Sequence, residues 1–214
     1  MEFTDFVRKI PPFTKFYMAS TLAVSVIITF NVINPYLFLL DFEKVAYSLH
    51  LWRPFTNFMV GGKLSFSTIF LMFIIHYAYG NLEKDYSGRK HDYYWILFCC
   101  ALLHFFVGWL LGSYSVLLQP MLGSVLYIFC KKNPDEWVNV WGFIFRSANL
   151  PWVHLIMSVL MGGDFFSMLT GIAVGHLWIF LDDTLPETHN IVVTSTPKWF
   201  AWLVNWIAIK VDNL

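Results

Sequence analysis

Four histidines lie inside long uncharged stretches of the sequence, where ionisable side chains are unusual: His76, His104, His154 and His176. An ionisable residue within a membrane helix is costly and marks a functional site by default. A neutral histidine is the least costly of these residues, and it can also serve only to hydrogen-bond a neighbouring helix. The sequence leaves both interpretations open for each histidine.

Cys100 and His104 are spaced i, i+4, which places both on one helix face and suits two metal ligands. A metal site needs further ligands, and no acidic residue or second Cys/His pair accompanies these two. We therefore predict neither a metal site nor any other cofactor.

Two motifs have spacings that suit packing better than chemistry. Gly171 and Gly175, followed by His176, clear one face of a helix so that a neighbouring backbone can approach closely. Trp52-Arg53, followed by Thr56-Asn57, has two interpretations. Arg53 extends to lipid headgroups beside an interfacial tryptophan, or its buried guanidinium bonds loop carbonyls and fixes the loop, with Asn57 as a further donor.

The elements that must position these residues are hydrophobic. The chain has 214 residues, of which 57% are hydrophobic and only 13% charged, too few charges to cover a water-facing surface. Six uncharged stretches stand out: Phe16 to Ile33, Leu64 to Gly80, Tyr93 to Gly112, Tyr114 to Cys130, Leu150 to Met161 and Phe165 to Leu181. Because a backbone in hydrocarbon must satisfy its own hydrogen bonds, each stretch predicts a helix. The predicted fold class is an all-α membrane protein.

Six spans place both termini on the same side of the membrane. That side then holds eleven of the 14 lysines and arginines, so it is the cytosolic side by the positive-inside rule. Several spans have only about 17 residues, near the lower limit for crossing a bilayer, and the fifth is shorter. Asp182 and Asp183 end the last stretch and are expected to be solvated.

The connection from Asn34 to Lys63 is too long for an ordinary link between helices and too apolar for a solvated loop. It is rich in leucine, phenylalanine and tyrosine, with charged residues at intervals. We predict an amphipathic segment that lies in the membrane interface.

Three sets of residues together resemble the Derlin family of the rhomboid superfamily. Trp52-Arg53 with Thr56-Asn57 is similar to the Trp-Arg motif of the first rhomboid loop, and Gly171 with Gly175 is similar to the GxxxG of the sixth rhomboid helix. The third set consists of Derlin-like flanks in chain order: Ile10-Pro11-Pro12, Leu82-Glu83, Gly88-Arg89, Lys132-Asn133-Pro134 and Leu150-Pro151-Trp152. The resemblance implies a rhomboid-like bundle of six transmembrane helices with an amphipathic first loop.

The same resemblance argues against proteolysis. Active rhomboid proteases place a nucleophilic serine in Gly-x-Ser-Gly on the fourth span and a histidine base on the sixth span. Here no glycine is followed two places later by serine, and Gly123-Ser124 has a different spacing. Met168 occupies the position of the base, and His176 lies about two helical turns further along. We therefore expect no enzymatic activity.

The C-terminal segment departs from the Derlin pattern. Residues 1–186 are predicted to form the membrane domain, and residues 187–214 a separate segment with a helix over about 198–211, which starts after Pro197. Trp199, Trp202 and Trp206 share one face of that helix and are predicted to contact the membrane or a partner. No glycine follows Gly175, so the glycine-containing motif with which many Derlin tails bind a cytosolic unfoldase is absent.

The resemblance implies a pseudoprotease of the endoplasmic reticulum that helps to move misfolded proteins to the cytosol for degradation. Its partners would be membrane lipids and other membrane proteins, including a ubiquitin ligase complex. The alternative is a structural subunit of a larger stable assembly, which could also lie in another organelle such as the mitochondrial inner membrane. The tryptophan-rich tail favours this alternative. The formal net charge of zero gives no indication of nucleic-acid binding.

Overall fold

The computed structural model describes residues 8–111, 116–140 and 142–212, and these residues are mostly helical. In chain order the helices are α1 (Pro12–Thr29), α2 (Phe42–Tyr47), α3 (Arg53–Thr56), α4 (Phe66–Asp85), α5 (Lys90–Leu111), α6 (Leu118–Lys132), α7 (Leu150–Leu160), α8 (Phe165–Ile179), α9 (Leu185–His189) and α10 (Lys198–Asp212). A π-helical turn, Phe180–Thr184, joins α8 to α9. A helix thus lies within each uncharged stretch and covers most of its described residues. Residues 30–33, 64–65, 116–117 and 161 of these stretches are not helical, and residues 112–115 lie outside the described residues.

Local sequence signals set the starts of several helices. Prolines occupy the first turns of α1 and α7, where a missing N–H costs nothing. The Asp164 carboxylate accepts a hydrogen bond of 2.6 Å from the Ser167 N–H and caps α8. The start of α1 is capped from another helix, because the Glu83 carboxylate of α4 accepts from the N–H groups of Phe13 and Thr14 at 3.0 and 2.9 Å.

Helix α6 lies at the centre of the fold. Its buried residues include nearly the whole helix, which is possible only because neighbouring helices surround it: Leu118, Pro120, Met121, Leu122, Gly123, Ser124, Val125, Leu126, Tyr127, Ile128, Phe129 and Cys130. Side chains of α4, α5 and α8 pack around them in the main hydrophobic core. The residues that carry the predicted motifs of α8 therefore face α6 closely.

The outside of the bundle is apolar as well. On α5, Phe106 and Trp109 are 58% and 63% exposed, and Leu102 and Leu110 are also exposed. A soluble monomer rarely presents such a continuous apolar surface to water. Three helical stretches are long and apolar enough to cross a membrane, Pro12–Thr29, Lys90–Leu111 and Phe165–His189. The protein is an integral membrane protein with at least these candidate spans.

A small β-hairpin between α6 and α7 adds strands to a fold that we predicted to be entirely helical. Strands β1 (Trp137–Val140) and β2 (Phe143–Arg146) pair antiparallel, with Trp137 opposite Arg146 and Val140 opposite Phe143. Gly142 lies between the two strands with φ of 91°, a conformation that glycine adopts without strain. Val138 and Val140 point into the core, so the hairpin covers one end of the helical bundle.

Candidate functional site

The long connection between α1 and α4 is organised around Arg53. Its guanidinium Nη1 donates to the carbonyl oxygens of Tyr36 and Leu39 at 3.0 and 2.7 Å, and its Nε donates to His50 Nδ1 at 3.2 Å. Arg53 is only 3% exposed. A planar guanidinium can bond several carbonyls at once, and here it joins the start of the connection to its end. This geometry matches the buried interpretation of Arg53.

The neighbours of Arg53 lie in different environments. Trp52 is half exposed, stacks on the His50 ring and donates from Nε1 to the Leu37 carbonyl at 3.3 Å. The Thr56 hydroxyl donates to the Trp52 carbonyl at 3.2 Å and lies 3.4 Å from the Phe38 carbonyl. Asn57 is fully buried, but its amide atoms have no hydrogen-bond partner among the described residues. The structure therefore shows no loop contact for the donor that we predicted at Asn57.

The glycines of α8 lie where its backbone meets that of α6. A Cβ atom added to Gly175 would lie 2.9 Å from both the Ser124 carbonyl oxygen and Tyr127 Cβ. A Cβ atom on Gly171 would collide with the Pro120 backbone, and one on Gly123 would lie 3.4 Å from Gly171 Cα. Contacts below about 3 Å force movement, and most of these atoms belong to backbone that cannot rotate away. This is the geometry that a helix-packing motif requires.

A buried hydrogen-bonded group centred on Ser124 lies at the same junction. The Ser124 hydroxyl lies 2.8 Å from the Gly171 carbonyl oxygen and 2.8 Å from His104 Nε2. A second carbonyl, that of Pro120, lies 3.2 Å from the hydroxyl. Both nearby carbonyls can only accept a hydrogen bond, so we assign the single hydroxyl proton to them and the tautomer with a donating Nε2–H to His104. A general base would need the opposite arrangement, with a nitrogen lone pair directed at the hydroxyl.

Sequence analysis missed this serine–histidine contact. The two residues are 20 positions apart on different helices, α5 and α6, and no local motif connects them. The idea that His104 and Cys100 share a metal ion gains no support, because the described residues contain no group of three or more potential ligands. Met168, at the position of a rhomboid base, is buried against Tyr127 and Leu155.

His176 forms the next connection along the α6–α8 interface. Its Nδ1 lies 2.8 Å from the Tyr127 hydroxyl, and its ring meets the tyrosine ring edge-on. Unlike His104, His176 is exposed at the surface of the bundle. The α6–α8 interface thus contains two close glycine contacts, the Ser124 group and the Tyr127–His176 pair.

The π-helical turn after α8 closes this interface with charge, which corrects our prediction for Asp182, whereas the Asp183 side chain remains 44% exposed. Lys132 Nζ lies 2.8 Å from the Asp182 carboxylate and 3.4 Å from that of Asp183, and Asp182 is only about a quarter exposed. These residues line a cavity of about 400 Å³ together with Tyr86. Burial raises the pKa of Tyr86, and the nearby Lys132 ammonium partly opposes that rise. The aspartates are paired with Lys132 because the π-helical turn that follows α8 lies beside the end of α6.

The C-terminal helix docks on α5 through a residue that we did not single out. Phe200 is buried, and its ring lies 5.0 Å from that of Trp95 and 5.7 Å from that of Phe98. Of the predicted tryptophans, Trp199 also meets the Trp95 ring edge-on, with centroids 6.4 Å apart. Trp199, Trp202 and Trp206 are 60%, 67% and 45% exposed. The segment before α10 is fastened by two threonine hydroxyls, Thr194 to Asp182 at 2.7 Å and Thr196 to Asp92 at 2.6 Å.

Comparison with known proteins gives a consistent result. The model of the Der1-like family matches residues 10–198, which end at the first residue of α10. Derlin-1 of Mus musculus is 32% identical over 206 residues, covering 93% of this chain and 82% of the mouse protein. Derlin-1.2 of Zea mays is 28% identical over 199 residues, covering 91% and 82% of the two chains. Derlin-1 of Caenorhabditis elegans is 28% identical over 211 residues, covering 95% and 85%.

Buried Arg53, the close α6–α8 contact and the apolar exterior define a helical protein that is embedded in a membrane. The family match covers most of the chain, and the sequence resemblance is thereby confirmed: this chain belongs to the Derlin family.

Proposed function

We propose that this chain is a catalytically inactive, Derlin-type protein that helps to move misfolded proteins across the endoplasmic reticulum membrane for degradation. The observation that carries this proposal is the family match over residues 10–198, which includes the whole helical bundle. Six spans, formed by α1, α4, α5, α6, α7 and α8, would place both termini on the cytosolic side. The excess of lysine and arginine on that side supports this orientation.

The geometry around Ser124 supports the absence of catalysis. The hydroxyl is buried, two carbonyl oxygens lie within hydrogen-bond distance of it, and the nearest histidine is assigned as a donor to it. Met168 has no lone pair that could accept a proton efficiently at the position of a protease base. A nucleophile without a base within hydrogen-bond reach is not activated at neutral pH.

The lengths of the helices support a transport role. Helix α7 has 11 residues and α6 has 15. At 1.5 Å per residue they extend about 16 and 22 Å, whereas the hydrocarbon core of a bilayer is about 30 Å thick. The bilayer around short helices must become thinner, or flanking residues must cover the difference in length. A thinner bilayer lowers the cost of carrying polar backbone across it. In this proposal clients enter sideways between α4 and α7.

The motif residues then have distinct roles in this proposal. Arg53 fixes the interfacial connection beside the entry region, with Trp52 at the lipid surface and Thr56 holding the turn. Gly171 and Gly175 keep α8 against α6, so the opposite side of the bundle is free to open. The exposed tryptophan face of α10 contacts lipid or a membrane partner, and a ubiquitin ligase complex is the partner that degradation would require.

A complementation experiment tests the proposal. Cells that lack this protein should degrade a misfolded protein of the endoplasmic reticulum slowly, and the wild-type chain should restore its half-life in a pulse–chase measurement. Ser124→Ala should restore it as well, since no catalytic serine is required. Arg53→Ala at equal protein level should not. Unchanged client half-life with and without the wild-type chain would refute the proposal. Failure of Ser124→Ala alone, at equal protein level and with the Tm of the wild-type chain, would refute catalytic inactivity.

A second function, that of a structural subunit, is favoured by the C-terminal helix. Its Phe200 docks on α5 while the Trp199 and Trp202 side chains remain exposed, which suits a permanent neighbour in an assembly. The assembly could then lie in another membrane, such as the mitochondrial inner membrane. Purification of the native protein in mild detergent distinguishes the two: a stoichiometric assembly whose stability falls when this chain is removed supports the subunit role, while ubiquitin ligases and clients support transport.

A further inference from the structure

A cavity of about 160 Å³ with both polar and apolar lining residues lies between α4 and α7. Ser67 and Phe70 of α4 line one wall, His154 and Ser158 of α7 line another, and Gln119 of α6 contributes to the lining. The volume is several times the ~30 Å³ that one water molecule occupies in the liquid. The cavity is therefore large enough for a functional group of another molecule.

His154 gives this cavity unmet hydrogen-bonding capacity. The residue is 2% exposed, and neither ring nitrogen has a hydrogen-bond partner among the described residues. Its ring stacks on Phe70 with centroids 5.7 Å apart, which fixes its plane without using either nitrogen. Gln119 Oε1 is likewise buried without a partner. Unpaired buried polar groups are costly, most of all in a membrane, so an occupant that bonds both groups at this cavity would be stabilised.

The lining also indicates the chemistry of that occupant. A neutral imidazole presents one donor and one acceptor, Gln119 presents a free carbonyl oxygen, and Ser67 and Ser158 present hydroxyls. No lysine, arginine, aspartate or glutamate lines the cavity in the part of the chain that the structure describes. An ion would lack a counter-charge there. An amide group, which has one N–H or NH₂ donor and one carbonyl acceptor, is complementary to this set.

The position of the cavity suits a chain that arrives from the side opposite the cytosol. Ser67 and Gln119 are each the second residue of their helices, and Ser158 lies in the last turn of α7. In the proposed six-span orientation all three ends face away from the basic residues. A client segment that moves between α4 and α7 would meet these polar groups before it reaches the middle of the bundle.

We propose that this cavity binds amide groups of client membrane segments, with His154 and Gln119 as the principal contacts. The amide is either the side chain of asparagine or glutamine, or the backbone of a segment whose helix is broken. This inference rests on the proposed function, because it names the chemical class of client that the protein engages. It also explains how a bundle without catalysis could prefer a misfolded segment over a uniformly apolar one.

Site-specific photocrosslinking in proteoliposomes tests the proposal without any degradation machinery. A photoreactive amino acid is placed at Met161, which lines the cavity. Three single-span probes are compared: a leucine-rich helix, the same helix with a central asparagine, and the same helix with a central Gly-Pro break. Since an average interhelical hydrogen bond in a membrane contributes about 0.6 kcal/mol, two of them should increase crosslinking roughly eightfold over the leucine-rich probe.

The variants that decide the result are His154→Phe, which keeps the stacking on Phe70 but removes both ring nitrogens, and Gln119→Leu. His154→Phe should reduce crosslinking of the amide-bearing probes to the level of the leucine-rich probe, while the matched control His176→Phe should not. Preference for the asparagine probe alone assigns a side-chain amide, and preference for the Gly-Pro probe alone assigns a backbone amide. Equal crosslinking of all probes, or no effect of His154→Phe, would mean that the cavity holds only water and would overturn the inference. Loss of client degradation in cells is measured separately, so either proposal can fail without the other.

Discussion

Substitution of Gly171 by alanine tests whether the α6–α8 interface limits stability. The added Cβ would collide with the Pro120 backbone, and neither helix has a flexible side chain at that point that could move aside. Overpacking of this kind costs about 1–3 kcal/mol, and a backbone collision belongs at the upper end of that range. Separation of the helices also weakens the Ser124–Gly171 hydrogen bond, which is worth about 0.6 kcal/mol for an average interhelical bond in a membrane.

Alanine also brings a gain, because its helix propensity exceeds that of glycine by about 1 kcal/mol. The net expectation for Gly171→Ala is therefore a loss of about 2–3 kcal/mol, or a Tm lower by roughly 5–10 °C for a chain of this size. Gly80→Ala is the matched control. Gly80 also lies inside a helix, α4, but its added Cβ would approach no atom closer than 3.6 Å. It should be neutral or slightly stabilising.

Thermal unfolding in detergent, followed by the exposure of buried cysteines such as Cys130 to a thiol-reactive dye, measures both variants under one condition. Gly123→Ala, with its nearest contact at 3.4 Å, should fall between them. The order of the three variants is the strict part of the prediction. If Gly171→Ala unfolded at the same temperature as Gly80→Ala, close backbone contact at the glycine pair would not be what holds α8 against α6.

Three further substitutions have definite expectations. Arg53→Lys should loosen the connection between α1 and α4, because a single ammonium cannot reproduce the fork that bonds the carbonyls of Tyr36 and Leu39. Faster hydrogen exchange over residues 34–57 would show this loosening, and unchanged exchange would contradict the role of Arg53. Glu83→Gln keeps an acceptor but removes the charge at the start of α1, so it should destabilise the protein by about 1 kcal/mol, and Lys84→Gln should not. Phe200→Ala should free α10 from α5 and increase proteolysis after Lys198, while the control Trp202→Ala should leave cleavage unchanged. Equal cleavage of both variants would contradict docking through Phe200.

The pattern of apolar stretches predicted where the helices lie, because hydrocarbon forces a backbone to bond within its own helix. The β-hairpin was missed for a related reason. Its strands have four residues each and lie between α6 and α7, where no long apolar period exists to indicate them. Short pairing of this kind depends on the neighbours that cover Val138 and Val140, and a single sequence does not show those neighbours.

Spacing rules succeeded for residues on one helix and failed for contacts between helices. The packing role of Gly171 and Gly175 could be predicted from their four-residue interval. The place of Met168 in the rhomboid pattern could be predicted from its distance to Gly171 on the same helix. The contact of His104 with Ser124 depends on how α5 and α6 cross, and the charge pairs of Asp182 depend on where α6 ends. Glu83 was quoted only as a family marker, although it caps the first span from 70 positions away.

The distribution of satisfied polar groups gives the bundle two unequal sides. On one side, α6 is joined to α5 and α8 by hydrogen bonds of Ser124 and Tyr127 and by glycine contacts that leave no space for a side chain. On the other side, His154 of α7 faces α4 across a cavity with both ring nitrogens unbonded. Separating α8 from α6 would expose paired groups to hydrocarbon, whereas separating α7 from α4 breaks no hydrogen bond of His154. Movement of the bundle should therefore begin at the α4–α7 side, because that is where opening costs least and where an incoming amide group would gain two hydrogen bonds.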